Sequence, residues 1–159
     1  MHMQPSGSGQ PLLGDISTAW SRVAAFSSAV DANLDRWLAD SYRVGLTEFR
    51  ALSLVNQASD KELRVNELAQ RVGLNQSSAT RLVSRLEAKG YVRRDVCEDD
   101  GRGVYAVITE QGEALVHSAR SPYEDRINEL LTATSAHFPN TDTAQLARAL
   151  REIGALLAP

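Results

Sequence analysis

Two glycines, Gly73 and Gly90, constrain this chain more than any other feature. They punctuate LRVNELAQRVGLNQSSATRLVSRLEAKG (63–90) into two short amphipathic pieces. Asn66 is placed to cap a helix over 67–72, and Gly73 stops it, because a helix end turns left-handed where glycine costs least. Asn75 is a second cap, and the spacing predicts a helix over about 76–89 that ends at Gly90. Two short helices about a glycine turn form a helix-turn-helix. YVRRDVC (91–97) and VYAVIT (104–109) follow, alternating or β-branched, on either side of the polar EDDGRG. That pattern predicts a β-hairpin, and a helix-turn-helix closed by a hairpin is a winged helix.

The flanks read as helix. Ile16, Trp20, Val23, Val30, Leu34, Trp37 and Leu38 recur at spacings of three, four and seven, an apolar stripe along 14–43. Asp15 and Ser17 are both candidates to cap it. Gly45 breaks the stripe and Thr47 is expected to open LTEFRALSLVNQAS, with SDKE as polar punctuation after it. Thr109 caps a further helix, with Glu110 and Glu113 near its positive end. Pro122 is expected to kink or end that helix. DTAQLARALREIGALL closes the chain with Leu146, Leu150, Ile153 and Leu157 on one face. The fold class is therefore mostly α: a winged helix-turn-helix at 46–109 between helical segments at 14–45 and 110–159. The two terminal stripes each need a covering partner. Residues 1–13, rich in Ser, Gly and Pro, read as a disordered tail.

Composition narrows the function classes. Apolar residues make up 43% of the 159, enough for a core, but aromatics only 6%, so Leu, Val and Ala must fill it. No apolar run approaches the roughly 18 residues of a membrane span, and the opening MHMQPSGSGQP lacks the basic start and apolar core of a secretory signal. The single cysteine, Cys97, excludes an internal disulfide, and His2, His117 and His137 lie too far apart for ligand spacing. No Gly-rich phosphate loop or nucleophile–base pair is visible. An intracellular protein with no metal, no cofactor and no catalytic site is expected.

Charge is distributed unevenly. The chain carries a net −3, yet SSATRLVSRLEAKGYVRR (77–94) holds Arg81, Arg85, Lys89, Arg93 and Arg94 against one acid, Glu87. At about 100° per residue, Ala79, Leu82, Val83 and Leu86 share one side of the predicted helix. Ser77, Thr80, Arg81, Ser84 and Arg85 share the other. The arginines cannot turn inward without exposing the leucines. A narrow, cationic, hydroxyl-bearing face fits a major groove about 12 Å wide, where Arg can pair with guanine and Ser or Thr with phosphates or bases. Gln76, Ser77 and Ser78 start the helix, where free backbone N–H groups suit a phosphate. Arg102, between two glycines at the hairpin tip, suits the negative potential of a minor groove. Arg94 lies on the same wing, and Asp100 is placed to hold Arg102. The acidic remainder of the chain confines attraction for DNA to this surface.

These residues resemble the MarR family of bacterial transcription regulators. The likeness rests on NELAQRVGLNQSSATRLVSRLEAKGYVRR and DDGRGVYAVITEQG, with Asp100-Gly101-Arg102 similar to the family's Asp-x-Arg wing element. It is strong over 63–112; elsewhere only helix periodicity agrees. The resemblance implies a cytoplasmic homodimeric repressor with interlocked terminal helices, reading a palindromic operator in double-stranded DNA. It also implies a small aromatic or lipophilic effector, for which Trp37 and Phe49 are the candidate contacts among Trp20, Phe26, Trp37, Tyr42, Phe49 and His117. Relatives that sense oxidants carry a cysteine near the N-terminus; Cys97 instead ends the first wing strand and reads as a packed or exposed thiol, with Arg93 and Arg94 the groups able to activate it. The competing reading is a winged-helix interaction module that does not bind DNA.

Overall fold

The computed structural model describes residues 15–97, 103–133 and 140–159. Among the described residues six helices and three short strands follow one another: α1 (Ile16–Tyr42), α2 (Leu46–Gln57), β1 (Glu62–Arg64), α3 (Val65–Val72), α4 (Gln76–Ala88), β2 (Val92–Cys97), β3 (Gly103–Ile108), α5 (Glu110–Thr132) and α6 (Thr143–Leu156). Among the described residues no helix is long and apolar enough to cross a membrane.

The helix-turn-helix forms as its punctuation requires. Gly73 and Gly90 both adopt positive φ, 78° and 81°. The Asn75 side chain accepts the Ser78 N–H at 2.8 Å, capping α4. Other starts differ from expectation. Asp15 stands at the N-cap position of α1, but its side chain makes no capping bond. Helix α2 starts at Leu46, not Thr47: the Gly45 N–H donates to Glu48 Oε2 (3.1 Å) and the Leu46 N–H to Asp35 Oδ1 (2.8 Å). Helix α3 starts at Val65, so Asn66 lies inside it. Pro122 does not end α5, which runs on to Thr132.

The sheet has three strands where the sequence suggested a hairpin. Its order is β1-β3-β2, all antiparallel, with Leu63 opposite Ala106 and Val92 opposite Ile108. The base of the wing is tied to the end of α4: Thr109 Oγ1 donates to the Gly90 carbonyl at 2.6 Å and accepts the Gly112 N–H at 3.1 Å. Gly112 is obligatory here, since a Cβ on it would stand 2.3 Å from the Tyr91 carbonyl oxygen.

Two apolar clusters result. One joins Leu52 and Val55 of α2 to Leu68, Leu82, Val83, Leu86, Ala106 and Val116, and is the core of the winged helix. The other joins Leu34 and Leu38 of α1 to Val44, Leu46, Phe49 and Ala119. Only the C-terminal half of α1 is covered. Ile16, Trp20 and Val23 are exposed, as are Ile153, Leu156 and Leu157 at the far end of the chain, and α6 buries no residue.

Candidate nucleic-acid interface

Helix α4 divides its faces as its periodicity requires. Ala79, Leu82, Val83 and Leu86 are all but sealed from solvent, and burying each large aliphatic side chain contributes about 1.5–3 kcal/mol. Gln76, Ser77, Thr80, Arg81 and Arg85 are exposed, Ser78 and Ser84 half-buried. The apolar side is anchored in the core, so the cationic side has no alternative to solvent.

The polar groups of this face are more organised than their spacing suggested. Thr80 Oγ1 donates to the Gln76 carbonyl and Ser84 Oγ to the Thr80 carbonyl, each at 3.0 Å. Ser77 Oγ donates to Asn75 Oδ1, also at 3.0 Å. Three hydroxyls expected to donate outward thus spend their protons on the helix backbone or, for Ser77, on the cap side chain, and present lone pairs. As held, they accept hydrogen bonds, from a base amino group for example, but do not donate to a phosphate.

The cations are held too. Arg94 lies on β2 but turns back to α4, donating from Nη2 to Ser84 Oγ (3.1 Å) and from Nε to Glu87 Oε1 (3.2 Å). Its backbone N–H reaches Glu87 Oε2 at 2.9 Å. That N–H above all holds the Glu87 carboxyl below the usual carboxylate range; burial opposes it, and the guanidinium adds to the lowering. Arg93 pairs with Asp95 at 3.4 Å. Arg85 Nε approaches Glu48 Oε1 at 3.4 Å and Lys89 Nζ approaches Glu48 Oε2 at 2.7 Å. Arg81 alone among the five cations of 77–94 has no ionic partner among the described residues.

Of the wing residues singled out in the sequence, Arg102 and Asp100 lie outside the described residues, as does the Cys97 side chain. Of the two effector candidates, Phe49 is buried and lines a crevice of about 440 Å³ with Arg50, Ser53, Leu54, Arg71, Val72 and Tyr123. Its ring stands 4.7 Å from that of Tyr123. Trp37 does not line this crevice; it packs edge-on against Tyr42 at 5.6 Å. Glu48 and Glu87, which organise the cations, were not picked out in the sequence. Glu48 carries a weak signal, an acid three residues after a helix-breaking glycine; Glu87 carries none, because its partner is reached only after the chain turns at Gly90.

Residues 44–103 match the family model described as MarR family. Over those residues the winged-helix lobe is similar to the MarR family. Its fold is found over most of the chain in Sco3205, a MarR family transcriptional regulator from Streptomyces coelicolor whose crystal structure is in complex with DNA. The TM-score is 0.71 with 23% identity, over 90% of this chain and 88% of that one. The transcriptional repressor MprA of Escherichia coli (strain K12) is 25% identical over 107 residues, 67% of this chain but 58% of MprA, so the chain spans less than two thirds of that relative's length. A shorter match, 36% over 74 residues, joins 44% of the chain to 32% of riboflavin kinase from Thermoplasma volcanium (strain ATCC 51530 / DSM 4299 / JCM 9571 / NBRC 15438 / GSS1). The winged-helix lobe thus supplies the frame in which the exposed face of α4 stands clear of the core.

Proposed function

We propose that this chain is a sequence-specific DNA-binding transcriptional regulator, a homodimer that acts as a repressor in the cytoplasm. One observation carries the reading: Arg81 and Arg85 stand on the solvent side of a helix whose opposite side is locked into the core. A helix so presented can enter a major groove. The complex of Sco3205 with DNA supports it. In this reading 46–109 is the DNA-binding lobe and α4 its recognition helix, with Gln76, Ser77, Ser78, Thr80, Arg81, Ser84 and Arg85 facing the duplex. Arg94 and Arg102 belong to the wing, with Asp100 steadying Arg102. The segments 14–45 and 110–159 form the dimerisation region. The apolar residues bare on α1 and α6 are the surface a second subunit would cover, and a two-fold dimer would read a palindrome with half-sites about 10 bp apart or a multiple of that.

The crevice beneath Phe49 suits a small aromatic effector. The rings of Phe49 and Tyr123 line it, beside Arg50 and Arg71, which are already paired with Asp31 and Glu67. Such a ligand regulates only if it binds the DNA-competent and incompetent arrangements unequally. The match to riboflavin kinase favours a second reading, a winged helix serving as a module without DNA contact. A mobility shift with fragments of the source genome separates the two. The regulator gives a discrete complex that salt dissolves; a charge reversal on α4 with undiminished function supports the module.

A further inference from the structure

Glu48 is the one buried charged or polar residue among those described, 7% exposed. A buried carboxylate is costly unless every lone pair finds a donor. Capping α2 explains only part of its surroundings, because the Gly45 N–H occupies one position on Oε2. The carboxylate also reaches across to α4, where Lys89 Nζ donates to Oε2 and Arg85 Nε to Oε1. Lys89 Nζ donates as well to the Arg43 carbonyl at 3.0 Å, on the turn between α1 and α2. A helix cap needs none of these contacts.

Their arrangement has a consequence for Arg85. Lys89 makes the shorter ion pair and neutralises the carboxylate, so the cluster keeps one net positive charge on the side facing solvent. Arg85 is tethered through Nε alone. Its side chain stays 55% exposed, with both terminal nitrogens free of partners among the described residues. A guanidinium fixed at Nε presents its fork in one plane, and ordering it before binding removes the entropy that a free arginine would lose on contact. Arg81, one turn earlier, has no such tether.

We propose that Glu48 is a positioning residue for DNA reading: from inside the elbow between α1 and α2, its carboxylate orients the Arg85 fork toward the base edges. This rests on the DNA-binding reading above. Glu48 touches no DNA itself and acts through Arg85.

The test uses the full chain and the duplex that the wild type enriches from a random-sequence pool. Affinities are measured for that duplex and for each single-base-pair variant of it, with wild type, Glu48→Gln, Arg85→Ala and the double variant. Glu48→Gln is expected to lower discrimination at the base pair read by Arg85 by about tenfold, and to change nothing further once Arg85 is alanine. Unchanged discrimination in Glu48→Gln, or an equal loss on both backgrounds, overturns the proposal. Circular dichroism checks folding. If Glu48→Gln is unfolded, Glu48→Asp takes its place: it keeps the charge but is one methylene too short for Arg85 Nε, and the same Arg85-dependent loss is expected. Retained discrimination in Glu48→Asp overturns the proposal equally. A wild type that enriches no duplex removes the regulator reading and this inference together; a selective wild type with an unaltered Glu48→Gln removes this inference alone.

Discussion

Arg81 is the cation with the fewest ties and the most to lose on truncation. Arg81→Ala is expected to cost about 1–3 kcal/mol in binding and to relax base preference at one position, read by titrating single-base-pair variants of the preferred duplex. Glu87 sets a pH dependence whose sign follows from its partners. Because Arg94 depresses its folded-state pKa, its stabilising effect is complete above the unfolded value, roughly pH 4.3, and is lost as pH falls through the folded value. Urea unfolding of wild type and Glu87→Gln should therefore differ at neutral pH and converge in acid. Residue roles were partly legible in advance. That Arg81 and Arg85 face outward followed from the leucines behind them, since a helix fixes both sides at once. That Arg85 is tethered did not, because its partner lies 37 residues earlier and meets it only through tertiary packing.

At the scale of elements, the two helix-stopping glycines and the Asn75 cap were readable because each acts within a turn of its own position. Strand β1 was not. In Glu62–Arg64 only Leu63 is buried, and three residues hold too little alternation to distinguish a strand from a loop. What makes it a strand is β3, more than forty residues later, whose Ala106 stands opposite Leu63. The start of α2 was misplaced because two carboxylates, Asp35 from α1 and Glu48 from the helix's own first turn, take the N–H groups of Leu46 and Gly45 in place of a threonine cap. The glycines themselves separate by mechanism. At Gly73 a Cβ would meet nothing, so Gly73→Ala is expected to cost only the left-handed conformation, about 1–2 kcal/mol. At Gly112 the added carbon collides with backbone at 2.3 Å, which must move. Gly112→Ala is expected to melt well below Gly73→Ala and to loosen the wing, which thermal unfolding monitored by circular dichroism will rank.

For the whole molecule, the charge pattern sets how steeply salt weakens binding. Five cations from 77–94 on each of two subunits, all on phosphates, would give a slope near −9 for log K against log salt. Four of the five already have acidic partners. If only Arg81 of each subunit reached phosphate the slope would be about −2. A measured value between these bounds reflects how many of the paired cations also reach phosphate. Overall shape was the least legible property of the sequence: periodicity marked apolar stripes on α1 and α6, but a stripe does not name what covers it.

The bare half of α1 also carries a built-in probe. Trp20 is 69% exposed, while Trp37, the other tryptophan, is half-buried against Tyr42. The two indoles therefore emit from different surroundings. On dilution, separation of subunits would wet Trp20 and shift its fluorescence to the red while Trp37 stayed constant, so a Trp37→Phe variant would report subunit association by colour alone.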